Sequence, residues 1–96
     1  MAKSTPRERR YDLYRAIAEL EDFEQCKDFF EDLCSMNELL SMEQRFEVAK
    51  MLNEEKVYTE IMESTGASTS TISRVKRVFN YGTGCMANMI RKLQKQ

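Results

Sequence analysis

Apolar residues recur along this chain at helical spacing and nowhere alternate, so the pattern predicts helix after helix and an all-α fold. A first helix carries Tyr11, Tyr14, Ile17, Ala18 and Leu20. It is predicted to start at Thr5-Pro6-Arg7-Glu8, which combines an N-cap, a proline at the first helical position and a glutamate three residues on. Asp22 is placed to cap a second helix running to about Cys34, with Phe23, Cys26, Phe29, Phe30 and Leu33 on one stripe. Ser41-Met42-Glu43-Gln44 predicts the start of a third, whose apolar positions are Met42, Phe46, Ala49, Met51 and Leu52. The run Asn80-Tyr81-Gly82-Thr83-Gly84 interrupts the pattern before a last helix with Met86, Met89, Ile90 and Leu93 as its inner face.

Between the third and last helices the chain reads VYTEIMESTGASTSTISRVKRVF, residues 57–79, the pattern of a helix-turn-helix. Tyr58 to Thr65 spans two helical turns, with Val57 and Ile61 sharing a face. Gly66 stands where the helix should stop, because glycine alone enters the left-handed C′ conformation without a Cβ penalty. Ala67 makes the link and Ser68 is a good N-cap for the helix that follows. From Thr69, the apolar stripe is Ile72, Val75 and Phe79, and the opposite face is Ser70, Ser73, Arg74 and Arg77. An ordinary exposed helix favours Glu, Lys and Gln for propensity, whereas this face carries short hydroxyls and guanidinium groups. Hydroxyls can donate or accept at base edges and an arginine can fork onto guanine, so Thr69, Ser70, Ser73 and Arg74 are the candidate base contacts. Ser68, Lys56, Lys76 and Arg77 are the candidate phosphate contacts, which set register without reading sequence. A solvated helix packing an ordinary core is the plain alternative. One departure from the pattern is that Met62, rather than a small residue, occupies the first-helix position that usually packs against the second helix.

Charge sharpens this picture. The total, 15 bases against 16 acids, is close to neutral and by itself argues against a nucleic-acid binder. The distribution argues otherwise. Residues 65–96 hold six bases and no acid, residues 1–16 hold five bases and two acids, and the segment between holds fourteen acids and four bases. Segregation of this kind concentrates a positive field around the second helix of the pair and keeps a polyanion off the middle. At 96 residues the chain predicts one domain, with residues 1–56 and 81–96 as a dimerisation core and 57–80 as the helix-turn-helix. The apolar surface of Phe23, Phe29, Phe30, Leu33, Met36, Leu39 and Leu40 is more than a small monomer easily covers. A homodimer would bury the excess and space two reading helices roughly 34 Å apart, one turn of DNA; a single ordinary core is the alternative.

Three cysteines without metal-ligand spacing and no histidine argue against zinc, and Cys26 and Cys34 read as buried small hydrophobes in a reducing cytoplasm. No apolar run reaches membrane-spanning length, and the N-terminus has no signal-peptide core, so a soluble, unexported protein is expected. Enzymatic chemistry has little support: no phosphate-cradling loop follows a strand, and Gly82-Thr83-Gly84 is explained as a turn. No cofactor is expected.

The stretch GASTSTISRVKR resembles the reading helix of the Trp-repressor-like proteins, and LLSMEQRFEVAKML resembles the helix that precedes their DNA-binding pair. The match is nearest to the smaller YerC/YecD type of that family and extends through DFFEDLCSMNELLS and VFNYGTG, about residues 20 to 84. The resemblance implies an all-helical, intertwined homodimer that binds double-stranded DNA as a bacterial transcriptional regulator, a repressor. Tryptophan-binding members sandwich the indole between two arginines, with a glycine and a serine beside the second. Arg74 matches that second arginine, but Val75 and Val78 stand at the glycine and serine positions. The segment from Arg45 to Tyr58 is roughly two turns shorter, leaving the other arginine without a counterpart. Tryptophan binding of that kind is therefore not expected. Two rival readings remain open: an all-α module holding another regulator or polymerase subunit through its acidic middle, and a repressor answering to a different small-molecule effector.

Overall fold

Val48 and Ala49, Ile61, Ile72 and Ile90 come from four different helices, and each is fully sealed from solvent against the others. At about 1.5–3 kcal/mol for each large aliphatic side chain, the burial of Val48, Ile61, Ile72 and Ile90 is the main cohesive contribution here. The computed structural model describes residues 7–95. Its elements are α1 (Asp12–Ala18), α2 (Phe23–Leu33), α3 (Met36–Asn53), α4 (Tyr58–Thr65), α5 (Thr69–Tyr81) and α6 (Cys85–Gln94), with no strand among the described residues. None of these helices is long and apolar enough to cross a membrane. The chain divides into two compact units, Met1–Ser35 and Met36–Gln96.

In the second unit α3 is the spine, and α4, α5 and α6 each pack on it. Val48 and Ala49 supply its buried positions, while Phe46, Met51 and Leu52 flank them. The far end of α3 is stitched to α6: the Asn53 amide donates to Gln94 Oε1, and Gln94 Nε2 donates to the Lys50 carbonyl at 3.4 Å. The exit from α3 is a Schellman turn. Glu55 N–H reaches the Leu52 carbonyl at 3.0 Å and Lys56 N–H the Met51 carbonyl at 3.0 Å, with Glu55 itself left-handed at φ 62°.

In the first unit, Asp22 caps α2 by accepting from the Gln25 N–H at 2.8 Å, and Gln25 Oε1 accepts from the Glu21 N–H at 2.9 Å. The cap is therefore reciprocal and fixes where α2 starts. Within α2, the hydrogen bond and charge of Glu31, 3.0 Å away, hold the Lys27 ammonium above its ordinary pKa. Neither α1 nor α2 contains a buried residue.

The structure corrects four expectations. The first is the start of α1. Thr5 and Pro6 lie outside the described residues, and from there on Arg7, Glu8, Arg9 and Arg10 are not helical, so that α1 begins only at Asp12. Arg9 instead folds its guanidinium over the rings of Tyr11 and Tyr14, 5.3 and 5.8 Å from their centroids, and donates to the Tyr14 hydroxyl at 3.2 Å. That stacking engages the segment where the helix would have started.

The second correction concerns α3, which begins at Met36 rather than at Ser41. Ser35 and Glu38 form an earlier S-x-x-E signature, and Leu39 and Leu40 propagate a helix well, so the Ser41–Gln44 signal falls inside a helix already under way. Third, Cys26 and Cys34 are half-buried rather than buried, and Cys85 is exposed; all three are free thiols. Fourth, α6 turns Ala87 and Ile90 inward, with Met86 beside them, while Met89 and Leu93 stay 48% and 46% exposed. On α4 it is likewise Ile61 that is buried, and Val57 that is left outside.

Candidate nucleic-acid interface

The turn between α4 and α5 is fixed by its own backbone chemistry. Gly66 takes the left-handed conformation at φ 74°, and its N–H reaches the Met62 carbonyl at 2.8 Å. Thr65 Oγ1 donates to the Ile61 carbonyl at 2.7 Å and accepts from the Ala67 N–H at 3.1 Å. Gln44 of α3 donates from Nε2 to the Thr65 carbonyl at 3.0 Å, tying the turn to the spine. Ala67, 3% exposed, leaves no room for a larger link.

Ser68 caps α5, its Oγ accepting from the Thr71 N–H at 3.2 Å. The same hydroxyl lies 3.1 Å from both Ser70 Oγ and Thr71 Oγ1. Ile72 and Val75 then point into the core, with Phe79 partly buried behind them. This phase turns Thr69, Ser70, Ser73, Arg74 and Arg77 outward, and all five are exposed. Among the described residues, the side chains of Thr69, Ser73, Arg74 and Arg77 make no hydrogen bond or ion pair.

The candidate cations Lys56 and Lys76, and Arg91 beyond them, differ in how they are held. Lys56 is exposed and 3.5 Å from Glu60. Lys76 lies over the Tyr58 ring, 5.8 Å from its centroid, on the α4 side of the reading face. Arg91 of α6 is engaged with the Phe79 ring at 5.7 Å. Ser68 is committed to its capping role, so of the proposed phosphate contacts its hydroxyl is the least available.

One arginine escapes the sequence reading. Arg45 of α3 lines two adjoining clefts together with Arg74: one also bounded by Val75, Val78 and Met86, the other by Ser41, Gln44, Thr71 and Val75. An arginine from the preceding helix therefore does lie beside Arg74, against the expectation drawn from segment length. Its position depends on how α3 packs on α5, twenty-nine positions away in sequence, and no local signal announces it.

Known proteins share this sequence pattern and fold. The family model described as Trp repressor protein matches residues 10–94. The YerC protein of Bacillus subtilis, uncharacterised in function, is 56% identical over 70 residues, covering 73% of this chain and 67% of its own. A crystal structure of a TrpR-like protein from Eubacterium eligens superposes with a TM-score of 0.81 at 52% identity, covering 86% of each chain. A structure from Staphylococcus aureus, provisionally assigned as a Trp repressor, gives 0.82 at 41% identity, covering 88% of this chain and 85% of that one. The chain belongs to the Trp repressor family, and its all-helical fold is that of the TrpR-like proteins.

Proposed function

We propose that this protein is a sequence-specific, DNA-binding transcriptional regulator, a cytoplasmic repressor rather than an enzyme, acting as a homodimer with α5 in the major groove. The observation that carries the reading is the outward face of α5, where Thr69, Ser70 and Ser73 offer hydroxyls beside two unpaired guanidinium groups. No acidic residue follows Glu63 in the chain, so nothing on α5 or α6 opposes a phosphate. Thr69, Ser70 and Ser73 face base edges, while Lys56 and Lys76 lie towards the backbone. The helices of residues 1–56 and 81–96 form the dimer core, and 57–80 is the reading module.

Tryptophan is not the effector in this reading. Val75 and Val78 both line the cleft beside Arg74, so branched side chains stand there where tryptophan-binding members have a glycine and a serine. Calorimetry is expected to show no stoichiometric tryptophan binding at micromolar concentration.

The test of DNA binding is a titration onto duplex DNA at several salt concentrations. Phosphate neutralisation makes the logarithm of affinity fall linearly with the logarithm of salt. Binding with that dependence is expected; a protein that ignores duplex DNA at low salt contradicts the proposal and leaves the interaction module in its place.

A further inference from the structure

Arg45 is an anomaly on its helix. α3 carries Glu38, Glu43 and Glu47 against Arg45 and Lys50, and Lys50 is held by Glu47 at 3.2 Å. Arg45 has no ion pair among the described residues and is exposed. It lines both clefts with Arg74, and neither lining includes a carboxylate. Arg45 and Arg74 thus border the same stretch of surface, and among the described residues no acidic side chain there pairs with either, which suits it to an anion. The rest of the polar lining, Ser41, Gln44 and Thr71, consists of groups able to donate hydrogen bonds.

We infer that Arg45 and Arg74 clasp a phosphate of the DNA backbone, so that α3 as well as α5 touches the duplex. This rests on the DNA-binding reading and deepens it. The guanine-reading role passes to Arg77. With Ile72, Val75 and Phe79 turned inward, Ser70, Ser73 and Arg77 fall at i, i+3, i+7 along the outward line. Arg74 flanks that line on the side of Thr71 and Val78, which border the α3 clefts. A clasped phosphate there sets the register in which Arg77 meets a base.

The experiment compares salt slopes and base preferences of the full chain and three variants. Arg45→Ala is expected to flatten the slope by about 0.9 for each phosphate contact removed, hence about 1.8 for a dimer carrying the change twice, with the base preference unchanged. Arg45→Lys keeps the charge and is expected to restore most of the slope. Arg77→Ala is expected to erase a guanine preference. An Arg45→Ala protein with the wild-type slope and helical content overturns the inference while leaving DNA binding intact. Wild-type protein without salt-dependent binding overturns both. Inorganic phosphate added at constant ionic strength is expected to weaken DNA binding by the wild type more than by Arg45→Ala, because it competes for the same guanidinium groups; a larger loss in Arg45→Ala than in wild type contradicts the clasp.

Discussion

The α3–α6 unit and the α1–α2 unit are built from equally clear helix signals, yet only the former closes a core. In the α3–α6 unit, Val48, Ile61, Ile72 and Ile90 are completely buried. In the α1–α2 unit, α2 has a reciprocal cap and a well-formed stripe, but Phe23 is 73% and Leu33 53% exposed. Caps and periodicity are enough to make a helix; burial needs a neighbour. The unsatisfied stripe of α2 is where a second copy of the chain is expected to pack, whereas the α3–α6 unit closes a core of its own.

The largest effect should come from opening the closed core. Ile72→Ala removes a fully buried side chain that holds α5 on α3 and is expected to cost about 2–5 kcal/mol in thermal or denaturant unfolding. A loss below about 1 kcal/mol would mean that α5 is held by something else. Next comes the open stripe. Leu33→Asp places a charge on the face assigned to the second copy, and is expected to cost roughly 2 kcal/mol or more of assembly free energy. Sedimentation should then show an 11.3 kDa particle in place of a dimer. An unchanged dimer would place its interface away from α2.

Two backbone changes sharpen the comparison from within the closed unit. Gly66→Ala meets no crowding, since the added Cβ would lie 3.9 Å from Gln44 Nε2, so its expected cost of about 1–2 kcal/mol is conformational alone. It should be visible as a lowered melting temperature. Glu55→Gly relieves a left-handed non-glycine residue and is expected to stabilise the protein by roughly 0.5–1 kcal/mol. A destabilised Glu55→Gly would show that the Glu55 side chain matters more than its backbone.

The parts legible in the sequence are those set by local chemistry. Tyr58–Thr65, Gly66, Ser68 and the Thr69 start are readable because a glycine C′ and a serine N-cap act on their own helices. The start of α3 is not, because the capping signatures at Ser35 and Ser41 compete six residues apart and the sequence does not rank them. The inner face of α6 is ambiguous for a different reason: Met86, Met89, Ile90 and Leu93 form a valid stripe, whereas the core it meets selects Ala87 and Ile90. Arg45 is invisible as a site residue, since only the packing of α3 on α5 brings it to Arg74.

The most direct measurement is selection of preferred duplexes from a random oligonucleotide pool by the purified protein. A palindrome is expected, with half-sites centred about one helical turn apart and guanine at a fixed position in each. Recovery of a pool no different from the starting one would contradict a DNA-reading role for the α5 face.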